Sequence, residues 1–252
     1  MSATLEIRGM CKSFGGIVVA DSIDLDLMAG RVLGLIGPNG AGKTSLFNLV
    51  CGVVKPDAGS VSLDGRSLEA LPTYERARMG LARTWQNLRL FPSLSVMDNL
   101  MLGPRAYSAD SLMDVFFRPS QIRAHEAEAL DRALDILERT GLSPIAHSRV
   151  QDISFGQQKL VGVARALMNE ARCLLLDEPM AGVEGQTYAL IQKAVRDIAA
   201  SGVAICVVEH NVAFIRDLCD EGVFMFAGKV LARGSVEQLI NDPHLTELYF
   251  GT

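Results

Sequence analysis

Gly37-Pro38-Asn39-Gly40-Ala41-Gly42-Lys43-Thr44 is the stretch on which the reading of this chain turns. It matches G-x-x-x-x-G-K-[ST] at every position and follows directly on the apolar run 32–36, which has the length and composition of a buried strand. The glycines permit dihedrals that turn successive backbone N–H groups into one anion-binding concavity. A helix starting at Lys43 adds the positive end of its dipole. Loops of this kind cradle phosphates. Lys43 reaches β- and γ-phosphates, and the Thr44 hydroxyl coordinates Mg²⁺. The candidate nucleotide-binding set is Gly37, Pro38, Asn39, Gly40, Ala41, Gly42, Lys43, Thr44 and Ser45.

Such a loop needs an acidic residue at the end of a neighbouring buried strand. Cys173-Leu174-Leu175-Leu176-Asp177-Glu178 supplies it. Asp177 is placed to hold the metal shell from the strand end. Glu178, one residue on, is placed to orient or deprotonate an attacking water. Acidic residues often end strands merely to meet solvent; the phosphate loop upstream favours the functional reading here.

Outward from these segments, the N-terminal part reads as short β stretches at 5–9, 17–27 and 60–63, with Ile23, Leu25 and Leu27 alternating. A helix is expected from Lys43 to about Cys51. From about 95 to 149 the pattern is helical, with Leu130, Leu134 and Leu137 at i, i+4 and i+7 and Gly141 as a stop. Buried strands at 173–176 and 203–208 flank a helix at 184–200. Two short strands follow at 223–226 and 229–232, and then a helical tail. Apolar strands separated by helices predict a mainly parallel sheet covered on both faces.

The chain has 252 residues, 49% hydrophobic and 21% charged, enough for one large domain or a domain with an inserted lobe. Its mean hydropathy of +0.22 leaves room for apolar surfaces that partners cover. A formal net charge of -5 with no long basic run argues against a protein built to neutralise nucleic-acid phosphates. No apolar stretch approaches the roughly 18 residues of a spanning helix, and the first residues lack a signal-peptide pattern. A cytoplasmic protein is expected. Five scattered cysteines without a C-x-x-C pair suggest reduced thiols in apolar surroundings.

Five further features narrow the reading. Ile153-Ser154-Phe155-Gly156-Gln157-Gln158 resembles the signature motif of ABC ATPases, with Phe155 replacing the usual glycine. Ser154 and Gln157 also have capping-box spacing, and both readings hold at once. Gln86 in Thr84-Trp85-Gln86-Asn87 is similar to that family's Q-loop glutamine, and His210 to its switch histidine. Ala181-Gly182-Val183-Glu184 stands in the D-loop position, with Glu184 where many members carry Asp. Phe14 lies where the family places an aromatic ring that stacks on adenine. These segments follow the family's order from Phe14 to His210.

The resemblance implies an α/β fold: a P-loop NTPase core with a mainly parallel sheet, an N-terminal antiparallel β subdomain and an inserted helical subdomain. It divides one ABC ATPase domain, 1–252, into a core (1–86 and 153–252) and an insertion (87–152). It implies ATP and Mg²⁺ as ligands. Glu178, His210 and Gln86 become catalytic candidates, Thr44, Gln86 and Asp177 metal ligands, and Ser154, Gly156 and Gln157 contacts to the nucleotide of a second subunit. Two such subunits pair head to tail, as homo- or heterodimer, on two integral membrane permease subunits at the cytoplasmic face. An extracytoplasmic solute-binding protein acts indirectly.

Arg83-Thr84-Trp85-Gln86, Ser154-Phe155-Gly156-Gln157-Gln158, Asp177-Glu178-Pro179-Met180-Ala181-Gly182, Val208-Glu209-His210-Asn211 and Leu248-Tyr249-Phe250-Gly251 resemble the high-affinity branched-chain amino-acid importers. Urea or amide importers and the lipopolysaccharide-export ATPase share much of this pattern. A non-transport ABC ATPase usually carries two cassettes or a long coiled coil, and this chain has neither. The N-K-x-D segment of a GTPase is missing too.

Overall fold

The computed structural model describes residues 3–85, 88–103, 119–183 and 186–250. Gln86 and Glu184, both singled out in the sequence, lie outside the described residues.

β1 (Ala3–Phe14) and β2 (Ile17–Met28) form a long hairpin. With β4 (Ala58–Leu63) and β5 (Arg66–Ser67) they build an antiparallel sheet in the order β2-β1-β4-β5. Ile23, Leu25 and Leu27 of β2 are buried while Asp24 is exposed, as the alternation predicts. β1 runs well past the stretch 5–9. Register shifts between Ile7 and Ser13, with Gly9 at φ 53°, interrupt its period and hide the continuation from a pattern reading.

The second sheet holds β3 (Val32–Ile36), β6 (Leu81–Arg83), β7 (Cys173–Asp177), β8 (Ala204–Val208), β9 (Glu221–Phe226) and β10 (Lys229–Gly234), in the order β10-β9-β3-β8-β7-β6. Only the β9–β10 pair is antiparallel. Every residue of β3, β7 and β8 is buried, which is why these strands are unbroken apolar runs. The strands bearing the phosphate loop and Asp177 do not adjoin, contrary to the sequence reading. The chain leaves β3 for the far edge at β6 and returns through β7, so β8 slots between them. Leu35 and Asp177 both pair with Val208, so the C-terminal ends of all three strands stand level. In open α/β sheets ligands bind outside that edge.

The helices are α1 (Lys43–Val50), α2 (Thr73–Arg78), α3 (Val96–Met101), α4 (Pro119–Arg139), α5 (Phe155–Leu167), α6 (Gln186–Ala200), α7 (Val212–Leu218), α8 (Val236–Asn241) and α9 (Pro243–Phe250). One core joins α3 to α7 onto the sheet face carrying Leu174, Leu176, Ile205 and Val207. A second joins α1 and the antiparallel sheet to the other face through Leu33, Leu35, Leu175 and Cys206. All five cysteines are free thiols, and burial pushes Cys51 up to about 11. Among the described residues no helix is long and apolar enough to cross a membrane.

In α4 the buried face is Ala133, Ile136 and Leu137, whereas Leu130 and Leu134 are about half exposed. The leucine spacing therefore chose the shoulder of the helix in place of its centre. Gly141, at φ 69°, does end it: the Gly141 N–H donates to Glu138 O and the Leu142 N–H to Leu137 O. β5, β6 and α2, the last two edging the site, were not read from the sequence, because two- to six-residue elements carry too little periodicity.

Gly42 caps α1 in a left-handed conformation, φ 101°, and a Cβ there would lie 2.3 Å from the Val19 carbonyl oxygen. No rotamer relieves a clash with backbone. Gly42→Ala is therefore expected to lose at least ~2 kcal/mol of stability, measurable by denaturant unfolding.

Candidate functional site

The phosphate loop leaves β3 at Ile36 and enters α1 at Lys43. Asn39 and Gly40 are exposed at its tip, Thr44 and Ser45 are accessible, and Ala41 is buried. The Lys43 side chain is 6% exposed and folds back on the loop. Its ammonium donates to the carbonyls of Gly37 (2.6 Å) and Pro38 (2.9 Å). Burial lowers the Lys43 pKa, while the Glu178 and Asp177 carboxylates act in the opposite direction. Both carboxylates therefore lie within electrostatic reach of the ammonium.

Asp177 ends β7 with its carboxylate 3% exposed. Oδ2 accepts from the Arg83 guanidinium at 2.8 Å, and the buried Oδ1 has no hydrogen-bond partner. A buried oxygen without a partner is costly, and it is free for a cation. Among the described residues no three His, Cys, Asp or Glu side chains cluster as a metal cage. The partnerless Asp177 Oδ1 is the kind of oxygen that fits Mg²⁺, which keeps several waters and takes one or two protein oxygens beside substrate phosphates.

Glu178 follows in the left-handed region, φ 49°, uncommon for a side chain with a Cβ. Its N–H donates to Val208 O, and its Oε1 lies 3.1 Å from His210 Nε2. Glu209 ties the two loops together. Its carboxylate is 4% exposed and accepts from the N–H groups of Met180 (2.5 Å) and His210 (3.0 Å). Burial raises its pKa in spite of these donors. Lys159 of α5 donates to the Glu178 carbonyl at 3.1 Å.

Ser154 caps α5: its hydroxyl accepts from the Gln157 N–H, and Gln157 Oε1 accepts from the Ser154 N–H. Ser154 and Phe155 are exposed beside this end, while Gly156 is buried. A Cβ on Gly156 would stand 2.4 Å from Thr187 Cγ2, so glycine allows α5 to approach α6. Phe14, 48% exposed, has the Lys12 ammonium 5.1 Å from its ring centroid. With exposed Ile17 and Val18 it makes an apolar platform. The adjoining Val19 packs against Gly42, which sets the platform beside the phosphate loop.

The ABC transporter family model matches residues 20–181. The chain belongs to the ABC transporter family. It is the nucleotide-binding, ATP-hydrolysing subunit of such a transporter. ABC relatives span it end to end: the high-affinity branched-chain amino acid transport ATP-binding protein LivG of Salmonella typhimurium is 32% identical, covering 98% of this chain and 97% of LivG. The lipopolysaccharide export system ATP-binding protein LptB of Acidithiobacillus ferridurans is also 32% identical, covering 100% and 98%. The crystal structure of the ADP conformation of an ATP-binding cassette of an ABC transporter superposes with a TM-score of 0.86 at 29% identity, covering 100% of both chains.

The structure brings Glu178 to His210, and both acidic residues within reach of Lys43. The Ser154 and Gln157 side chains each accept from the other residue's backbone N–H. The sequence reading missed Arg83, Asn48, Lys159 and Glu209. Arg83 and Glu209 were in view only as marks of a subfamily; a charged residue inside an otherwise apolar segment was the available signal. Glu209→Gln replaces one acceptor by an NH₂ group facing a backbone N–H. It should lower stability by about 1–3 kcal/mol in thermal unfolding, whereas a surface Glu→Gln control should leave it unchanged.

Proposed function

We propose that this subunit powers the uptake of branched-chain amino acids, hydrolysing ATP at the sheet edge where Lys43, Asp177, Glu178 and His210 converge. The Glu178–His210 contact at 3.1 Å carries the mechanistic reading. Phe14 stacks on the adenine, and the backbone of 37–45 with Lys43 holds the phosphates. Thr44, Asp177 and, by resemblance, Gln86 hold Mg²⁺, which when bound neutralises charge on the phosphate oxygens. Glu178 takes a proton from water as its oxygen bonds to the γ-phosphorus. The bond from that phosphorus to the bridging oxygen breaks, and ADP leaves with the electron pair. His210 holds the water and γ-phosphate in line.

The signature side chains act in trans. Ser154, Gly156 and Gln157 of one subunit close on the nucleotide of a second, head to tail, so a lone subunit is an incomplete enzyme. ATP favours the closed pair by binding it more tightly, and hydrolysis removes that preference. The insertion 87–152 moves against the core formed by 1–86 and 153–252. A groove of about 380 Å³, lined by Trp85, Leu88, Phe91, Leu102 and Arg165 among others, takes the membrane subunits where the two parts meet. The protein sits peripherally on the cytoplasmic face, and a solute-binding protein delivers the cargo.

LivG supports the amino-acid reading. LptB, at equal identity, supports a second, export of lipopolysaccharide. Deleting the gene separates them: loss of high-affinity leucine, isoleucine and valine uptake is the expected result, and loss of surface lipopolysaccharide with uptake intact would overturn it. For the chemistry, Glu178→Gln should cut kcat by at least about 10²-fold and trap an ATP-bound dimer in gel filtration. A variant hydrolysing at the wild-type rate would remove Glu178 from the base role.

A further inference from the structure

We propose that Arg83 is a positioning residue for the metal-binding carboxylate, and that it carries the state of Asp177 to the wall of the groove through Trp85. The inference rests on the reading of Asp177 as a metal ligand. It begins with the unequal treatment of that carboxylate's two oxygens. Oδ2 is engaged by Arg83 at 2.8 Å, with both side chains at most 4% exposed, while Oδ1 has no hydrogen-bond partner. The backbone N–H of Asp177 donates to the Thr84 hydroxyl at 3.2 Å, so two consecutive residues at the end of β6 clamp it. Held this way, Asp177 presents a single oxygen. One-oxygen coordination is what the small octahedral shell of Mg²⁺ accepts, in contrast to the bidentate grip that suits Ca²⁺.

The guanidinium is itself fixed on several sides. Its other arm, Nη1, donates to Asn48 Oδ1 at 2.7 Å, on the helix that grows out of the phosphate loop. Its carbon lies 4.3 Å from the Trp85 ring centroid and 5.5 Å from that of Phe47. One planar fork thus joins α1, the end of β7 and the Trp85 ring. A lysine keeps the charge but has neither the fork nor the flat face for stacking.

Arg83 and Trp85 both line the groove of about 380 Å³. A divalent cation held by Asp177 would share the carboxylate whose other oxygen Arg83 fixes, so the seat of the guanidinium and the hold on the metal are coupled. In a buried pair the attraction is poorly screened, so metal loading is felt at Arg83. Its stacking on Trp85 then alters, and with it the surface that a groove occupant meets. Metal loading and groove shape become one linked variable, and the linkage works in both directions.

Trp85 is the single tryptophan of the chain, so its emission reports one ring, which the Arg83 and Arg89 guanidinium carbons face at 4.3 and 5.0 Å. The full chain is titrated with Mg²⁺ at saturating ATP while Trp85 fluorescence is followed, and ATP binding is measured separately in EDTA. Wild type is expected to change its emission with Mg²⁺. Arg83→Lys should raise the half-saturating Mg²⁺ concentration about tenfold or more, as loss of an outer-sphere partner does. It should also flatten the emission response and leave ATP binding in EDTA unchanged. Asn48→Ala, which frees one arm and keeps the charge pair, should shift the midpoint in the same direction by less; it decides the matter if Arg83→Lys fails to fold. Wild-type midpoints and emission responses in the folded variants would overturn the role of Arg83. Wild-type protein that binds ATP without any dependence on Mg²⁺ would instead overturn the reading of Asp177.

Discussion

Three buried strands in fixed parallel register are the constraint from which the site follows. Leu35 of β3 and Asp177 of β7 both face Val208 of the intervening β8, so the next residues of each chain segment emerge together. The phosphate loop, the Asp177–Glu178 pair and the Glu209–His210 pair are those emerging segments. Side chains alternate along a strand, so a slip of one residue would turn Asp177 to the opposite face of the sheet. Strands apolar on both faces do not oppose such a slip by burial alone; the contacts of Asp177 with Arg83 and with the Thr84 hydroxyl do, since a slip would break them. The register thus determines which groups meet.

The charges at this edge are then satisfied locally. Lys43 is held by loop carbonyls, Asp177 by Arg83, and Glu209 by backbone N–H groups of two different loops. Buried charges of this kind survive only when paired or hydrogen-bonded. Breaking a buried pair by deleting one member costs on the order of 3–5 kcal/mol. Apart from Lys43, which is turned back on its loop, the charged groups of this edge are held in place by the fold, which is how electrostatic stabilisation limits reorganisation during reaction. Glu178 in the left-handed region fits this pattern of local cost borne at a functional turn.

What was legible in the sequence was local. The run 37–44 names its own chemistry because loop, lysine and threonine are contiguous. Likewise Ser154 and Gln157 announce a helix start within four residues, and the structure forms that cap. Unbroken apolar runs gave the parallel sheet. What stayed hidden depends on chain segments far apart. The insertion of β8 between β3 and β7 is a matter of topology that no strand's composition encodes. Arg83 meets Asp177 across 94 positions and Glu209 meets Met180 across 29, so neither pairing has a spacing to recognise. In α4 the leucines at 130 and 134 suggested a face, but the buried face is centred on Ala133, Ile136 and Leu137, and the helix packs on α3 and α5.

The turned-back lysine has a consequence for discrimination. With its ammonium already seated on the Gly37 and Pro38 carbonyls, the cradle holds an internal competitor for whatever arrives. A newcomer must offer a better seat than two neutral dipoles at 2.6 and 2.9 Å. Adenosine brings no anion, so it does not displace the resident contacts well. A chain of phosphates long enough to reach Lys43 does. The loop thereby filters its visitors by charge and reach before any catalytic group is involved.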